Sequence, residues 1–102
     1  MLDVIRQNLD PIAEICRRHG VKRLELFGSA ARDDFDPARS DVDFLVEFIS
    51  NDWKQAADHW FGLIEDLQRL TGFRVDLVSA PDVWNPYFLK SANQYKVMLY
   101  AA

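Results

Sequence analysis

The chain has 102 residues, a formal charge of −4 and a pI near 5.0. Hydrophobic residues make up 49% and charged residues 27%, a balance typical of globular proteins and unlike that of disordered segments. The acidic charge argues against a protein that holds long nucleic acid, because nonspecific phosphate contacts require a surplus of Lys and Arg. A chain of this length buries about 60–65% of its unfolded surface, so we expect one domain over residues 1–102.

The cysteine, histidine and apolar residues of the chain also indicate its compartment and whether a zinc site is expected. Cys16 is the one cysteine and lies in an apolar helical pattern, which predicts a buried, unpaired thiol. The N-terminus is acidic, and no stretch approaches the roughly 18 uninterrupted apolar residues of a membrane span. We therefore expect a cytoplasmic protein without membrane contact. Cys16, His19 and His59 match no common zinc spacing and show no fourth ligand, so zinc is not predicted.

The first half of the chain predicts two short helices and two strands. A short apolar stripe spans residues 2–9, and Asp10-Pro11 then has the form of an N-cap with a first-turn proline, so a second helix should begin there. That helix should end at Gly20, which suits the left-handed position beyond a helix end. Residues 21–27 and 41–48 alternate as strands do.

The second half predicts a long helix, a strand and a final helix. Apolar residues recur at helical spacing over residues 52–71, which Gly72 closes. Residues 73–78 alternate as a third strand. Asn85-Pro86 predicts the start of another helix. This helix would extend to about Leu99 and pack Phe88, Ala92, Tyr95 and Leu99 against the sheet. This order of elements predicts a small mixed β-sheet covered by helices on one side, in the α+β or α/β class.

The most informative stretch is Gly28-Ser29-Ala30-Ala31-Arg32, followed by Ser40-Asp41-Val42-Asp43. Residues two apart on a strand share a face at roughly 6.5 to 7 Å, so Asp41 and Asp43 can converge on the same ions. Mg²⁺ prefers carboxylate and phosphate oxygens, and two such ions about 3.5–4 Å apart clamp the oxygens of a phosphoryl displacement. The pattern therefore predicts two-metal nucleotidyl transfer, against the alternative of a solvated strand face without metal.

A phosphate turn and a third acid complete this hypothesis. Gly28 would allow close approach of a phosphate, Ser29 would supply a hydroxyl and an N–H, and a helix beginning at Ala30 would aim its positive end at the anion. Asp76 follows the motif within a strand-like alternation, and we assign it as the third metal ligand and proton acceptor. The alternative for Asp76 is a simple ion pair with Arg74.

These residues resemble the minimal nucleotidyltransferase family of the DNA polymerase β superfamily, whose pattern is glycine, serine, two residues, arginine, and then serine, aspartate, a hydrophobic residue, aspartate. The resemblance extends from the helix before the first strand to residues 96–100. It implies the polymerase β-like nucleotidyltransferase fold and Mg²⁺-dependent transfer of a nucleoside monophosphate, usually from ATP. By the same resemblance the metal ligands would be Asp41, Asp43 and Asp76, and the nucleotide and phosphate ligands Gly28, Ser29, Arg32 and Ser40. From the residues alone, Arg32 could instead form an ion pair with Asp33, Asp34 or Asp36.

Many members of this family are antitoxins that act on a HEPN-family ribonuclease toxin, in some cases by adenylylating one of its tyrosines. The resemblance therefore implies a HEPN toxin as partner and acceptor. The short chain leaves little room to enclose both nucleotide and acceptor, so we expect the partner to complete the site. Asp33 stands where the family commonly has glycine, which favours an alternative, a noncatalytic antitoxin that neutralises by binding alone. A small-molecule nucleotidyltransferase of the aminoglycoside-modifying kind is disfavoured, because such enzymes carry a further helical domain.

Overall fold

The computed structural model is described for residues 1–50, 52–80 and 96–102. Among these residues a four-stranded sheet has the order β3-β2-β1-β4. Strand β1 pairs antiparallel with both β2 and β4, whereas β2 and β3 are parallel. The elements in chain order are α1 (Asp3–Arg6), α2 (Leu9–Arg18), β1 (Val21–Phe27), a 3₁₀ turn (Gly28–Ala30), β2 (Val42–Phe48), α3 (Trp53–Thr71), β3 (Val75–Ser79) and β4 (Val97–Ala101). The predicted mixed sheet of the α+β class is confirmed.

The core lies between the described helices and one face of the sheet. Strand alternation directs Leu24 and Leu26 of β1 toward the helices, where both are fully buried. Most other members of this core come from β2, α2 and α3, and include Val42, Phe44, Val46, Ile12, Ile15, Leu63 and Leu67. The opposite face carries a small cluster of Phe27 and Leu45 with Val78 and Ala80. The predicted placement of helices on one side is thus confirmed for the described residues.

The ends of the helices agree with the sequence prediction in some places and differ from it in others. Asp52 caps α3 by accepting a hydrogen bond from the Lys54 N–H at 3.0 Å, and Gly72 follows it with φ of 77°. Gly20 takes the predicted left-handed position after α2, with φ of 65°. The prediction of Asp10 as the cap of α2 was wrong, because the helix begins at Leu9 and the Ile12 N–H donates to the Asn8 carbonyl. None of the described helices is long and apolar enough to cross a membrane.

The predicted final helix is corrected at its C-terminal end. Residues 97–101 form strand β4, which pairs Tyr100 with Leu24 and Val97 with Leu26. A strand forms here instead of a helix because the hydrophobic side chains of β4 pack against the same core. Its backbone also forms hydrogen bonds with the edge of β1. The remaining residues of that predicted helix, 85–95, lie outside the described residues. Strand β3 also begins at Val75 and not at residue 73, since the Phe73 N–H donates to the Thr71 hydroxyl.

Candidate active site

Strand pairing brings Asp43, Asp76 and the first turn to one end of the sheet. Asp43 lies opposite Asp76 in the parallel pair of β2 and β3, and opposite Phe27 in the antiparallel pair of β1 and β2. Gly28 directly follows Phe27, so the turn begins beside Asp43. Asp43 is partly buried and Asp76 is exposed. The two predicted carboxylates therefore share one face at the mouth of the turn.

Gly28 makes a close approach to Asp43. Its φ of 70° is a left-handed conformation that residues with a Cβ rarely adopt. A Cβ at this position would overlap Asp43 Oδ2 and lie 3.2 Å from Asp43 Cγ. Glycine is thus required both by the backbone conformation and by the carboxylate that fills the space beside it.

The pKa of Asp43 also reflects the nearby acids. Burial, followed by the negative charges of Asp76 and Asp41, raises the pKa of Asp43 from 3.8 to about 6, while the Arg32 guanidinium opposes this change. Both desolvation and nearby like charge disfavour the carboxylate form. The charges of the predicted acids Asp41 and Asp76 and of the predicted phosphate ligand Arg32 therefore all influence the pKa of Asp43.

Asp41 lies just before β2 and contacts Arg74. Arg74 Nε is 3.0 Å from Asp41 Oδ1, in an ion pair that lacks hydrogen-bond geometry. Although the Asp41 side chain as a whole is 45% exposed, its Oδ1 is buried and accepts no hydrogen bond from the described residues. The ion pair considered between Arg74 and Asp76 is instead made with Asp41. The Val42 N–H donates to the Arg74 carbonyl at 2.8 Å and brings the two residues together.

The first turn is shorter than predicted. A single 3₁₀ turn spans Gly28–Ala30, and the Ala31 and Arg32 N–H groups both donate to the Gly28 carbonyl at 3.1 Å. The prediction of a helix beginning at Ala30 was wrong, so no helix dipole points at the proposed phosphate position from this residue. The first N–H groups of such a turn still have no acceptor inside it. The Gly28 and Ser29 N–H groups are therefore not used by the hydrogen bonds of this turn.

The loop between the turn and β2 has its own internal contacts. Arg32 Nε lies 3.2 Å from Asp34 Oδ1, so the alternative of a structural ion pair for Arg32 is observed. Ser40 closes the loop, because its hydroxyl accepts from the Asp36 N–H at 3.0 Å and its own N–H donates to the Asp36 carbonyl. Asp33 is 95% exposed and pairs with the Met1 amino group at 3.1 Å. Its charge therefore faces the chain terminus.

Two observations fit a divalent cation at this end of the sheet. Asp41 Oδ1 is buried and accepts no hydrogen bond from residues 1–50, 52–80 or 96–102, although Arg74 Nε lies 3.0 Å away, and Asp43 bears the repulsion of two neighbouring acids. A bound cation would relieve both conditions. In the described residues, no three acidic, histidine or cysteine side chains gather closely enough to hold one ion in their present orientations. The acids thus share a neighbourhood, with Asp41 directed at Arg74.

Comparison with known proteins agrees with this arrangement. The nucleotidyltransferase domain family matches residues 9–99. A Methanocaldococcus jannaschii protein named as a protein adenylyltransferase is 35% identical over 96 residues, which cover 86% of this chain and 94% of that protein. A solved minimal nucleotidyltransferase is 29% identical, with a TM-score of 0.69 and coverage of 95% of both chains.

A more distant likeness is to a chain in the complex of a tri-AMPylated Shewanella oneidensis HEPN toxin with its MNT antitoxin. It is 17% identical, with a TM-score of 0.61 over 96% of this chain and 73% of that one, and it supports the fold alone. The family match spans most of the present chain, including the turn and all three acids. This chain, which resembles a solved minimal nucleotidyltransferase in fold, therefore belongs to the nucleotidyltransferase domain family.

Proposed function

We propose that this protein transfers AMP from ATP to a tyrosine hydroxyl of a partner HEPN toxin, and so acts as a cytoplasmic antitoxin. The observation that carries the proposal is the packing of Asp43 against Gly28, with Asp76 opposite and Asp41 within electrostatic reach. The name of the M. jannaschii relative supports protein as the acceptor class. The AMPylated toxin in the S. oneidensis complex supports the kind of partner.

Each residue of the site has a defined task in this reaction. The tyrosine oxygen attacks the α-phosphorus of ATP, the bond from that phosphorus to the β-phosphate oxygen breaks, and pyrophosphate leaves. Asp76 accepts the hydroxyl proton. The backbone N–H groups of Gly28 and Ser29 hold the triphosphate, and the Arg32 guanidinium balances its charge. Two Mg²⁺ ions held by Asp41, Asp43 and Asp76 would neutralise charge on the attacking and leaving oxygens.

In this proposal Ser40 acts mainly by positioning the loop that precedes Asp41. Its hydroxyl and N–H close the loop on Asp36 and thereby fix the residue that precedes Asp41. A hydroxyl that accepts one hydrogen bond can still donate another. Ser40 is therefore suited to positioning the loop, and its own O–H is available for a phosphate oxygen.

The proposal is tested by incubating the full chain with ATP, Mg²⁺ and the purified toxin, and by measuring the intact mass of the toxin. We expect an adenylyl increment that peptide mapping locates on tyrosine. The double variant Asp41→Asn/Asp43→Asn should lose the increment while keeping its folded circular dichroism spectrum. An unmodified toxin under wild-type conditions would contradict the proposed activity.

The alternative function is neutralisation of the toxin by binding alone. Its basis is the sequence departure at Asp33, where the family commonly has glycine, although the Asp33 carboxylate pairs with the Met1 amino group. The same double variant separates the two functions when ribonuclease activity of the toxin is measured beside its mass. Full neutralisation by Asp41→Asn/Asp43→Asn, without AMP on the toxin, would establish the binding function and remove the catalytic one.

A further inference from the structure

Two histidines that are 40 positions apart meet at the end of the sheet remote from the proposed active site. His19 is the C-cap residue that follows α2, His59 lies on α3, and their Nδ1 atoms are 3.2 Å apart. The rings meet edge to face, with centroids 5.4 Å apart and an interplanar angle of 76°. His19 precedes β1 and Gly28 follows it, so the strand separates the two ends by about 20 Å at about 3.4 Å per residue.

The spacing of the two nitrogens suits a shared metal ion. Zinc–imidazole bonds are about 2.0–2.1 Å long, so nitrogens 3.2 Å apart would subtend about 100–106° at the ion, close to the tetrahedral angle. A cavity of about 230 Å³ adjoins both rings and is also lined by Ser50 and Gln55. A cavity of this volume holds water molecules, which are the ligands the proposed ion would need besides the two imidazoles.

A carboxylate holds His19 in the orientation that metal binding requires. His19 Nε2 lies 2.7 Å from Asp66 Oδ2, and with Nε2–H donating to Asp66 a neutral His19 presents its lone pair at Nδ1. Hydrogen bonding from His19 is the main cause that lowers the pKa of Asp66. Metal-binding histidines commonly have a carboxylate partner on the other ring nitrogen, which fixes the tautomer.

The surrounding chain leaves space for the His19 ring. A Cβ at Gly62 would come within 2.6 Å of His19 Cε1, so α3 carries a glycine where the ring rests on it. Cys16 is fully buried in the core. Among the described residues, no third histidine, cysteine or acid completes a ligand set at this point.

We propose that His19 and His59 bind one divalent transition-metal ion through their Nδ1 atoms, with Asp66 orienting His19 from behind and water filling the other positions. The proposed site and the proposed Mg²⁺ site of the three acids should prefer different ions. Imidazole nitrogen favours ions such as Zn²⁺, whereas carboxylate oxygen favours Mg²⁺. Bound metal would tie the end of α2 to α3.

The test uses the full chain labelled with ¹⁵N-histidine, titrated with Zn²⁺ in excess Mg²⁺ and followed by long-range ¹H–¹⁵N spectra. We expect one equivalent of Zn²⁺ to shift the Nδ1 resonances of both histidines, while His19 Nε2 remains protonated. His59→Gln should weaken Zn²⁺ binding at least about 100-fold, and Asp66→Asn about 10- to 100-fold, as loss of outer carboxylates does elsewhere.

Control variants keep the result interpretable. Asp41→Asn/Asp43→Asn should leave the affinity for Zn²⁺ unchanged, because those acids lie at the other end of β1. Thermal unfolding without metal should show that His59→Gln is folded. Zn²⁺ that leaves both Nδ1 resonances in place, or binding that disappears with Asp41 and Asp43 and survives His59→Gln, would overturn the proposal. The histidine contact would then be a hydrogen bond between two helices.

Discussion

At the scale of single residues, Gly28 links the backbone of the first turn to the carboxylate of Asp43. Its left-handed φ and its lack of a Cβ are separate requirements, and the chain offers a control for the first. Gly20 has nearly the same conformation, with φ of 65°, but nothing lies within 4 Å of a Cβ built there. The two glycines therefore distinguish a backbone effect from an effect on the site.

We predict that Gly28→Ala and Gly20→Ala each lower the free energy of unfolding by about 1–2 kcal/mol, the cost of a left-handed residue with a Cβ. Only Gly28→Ala should also slow AMP transfer, by about 100-fold, because its Cβ displaces the Asp43 carboxylate. Urea unfolding and initial rates measure the two effects. Equal loss of activity in both variants would show that the contact with Asp43 is unimportant.

Cys16 provides a second prediction at this scale. Burial raises the pKa of the Cys16 thiol from 9.0 to about 12, and the thiolate is the form that reacts. Between pH 9 and 12 the thiol stays protonated in the folded chain but ionises in the unfolded one. The stability associated with the neutral thiol is therefore present below pH 9 and is lost as the pH rises toward 12.

We expect iodoacetamide at pH 8.5 to modify Cys16 in urea within minutes and in the native protein at least about 100 times more slowly. Mass spectrometry of timed samples gives both rates. A native rate close to that in urea would mean that the thiol is exposed or that α2 opens readily.

At the scale of elements, the signals that the sequence carried correctly were local ones. The alternation of Val21–Phe27 and the Asp52 and Gly72 ends of α3 are contained within a few residues. The missed features depend on distant partners. Strand β4 is defined by pairing with β1, more than 70 positions away, and its run of hydrophobic residues continued a helical spacing that began near residue 88.

The cap of α3 can be tested in isolation from the site. Replacing Asp52 by Ala removes the acceptor of the Lys54 N–H, and we predict a loss of about 1 kcal/mol in the free energy of unfolding. Asp58→Ala, on an exposed position within the same helix, is the matched control and should be neutral or slightly stabilising. The prediction fails if chemical denaturation gives the two variants the same midpoint.

At the scale of the whole molecule, the candidate site was partly predictable. The motif spacing identified Gly28 and Asp43, and the strand hypothesis brought Asp76 to them, because these relations follow from alternation and sheet adjacency. The contact of Arg74 with Asp41 was missed, because the alternative considered for Arg74 was an ion pair with Asp76 on the same predicted strand, whereas Arg74 pairs across to the residue that precedes β2. The meeting of His19 with His59 also arises only when α2 and α3 pack together.

The openness of the site leads to a prediction about the acceptor. Asp76 is exposed and the Asp41 side chain is 45% exposed, so water reaches two of the three acids in the structure as described. A docked partner would exclude water and fix the attacking hydroxyl. Under the proposed function, we predict AMP transfer to the toxin to be at least about 100-fold faster than to N-acetyltyrosine amide at equal concentration. Equal rates would show that the partner does not complete the site.

The role of Asp43 in the proposed reaction is tested by the initial rate of AMP incorporation into the toxin by Asp43→Asn. Asp10→Asn, which removes the same charge from an exposed position on α2, is the control. Loss of a carboxylate that holds metal at the reacting phosphate should lower the rate at least about 100-fold, and the control should match wild type. A rate for Asp43→Asn within twofold of wild type would contradict the assignment of these acids and the first turn as the active site.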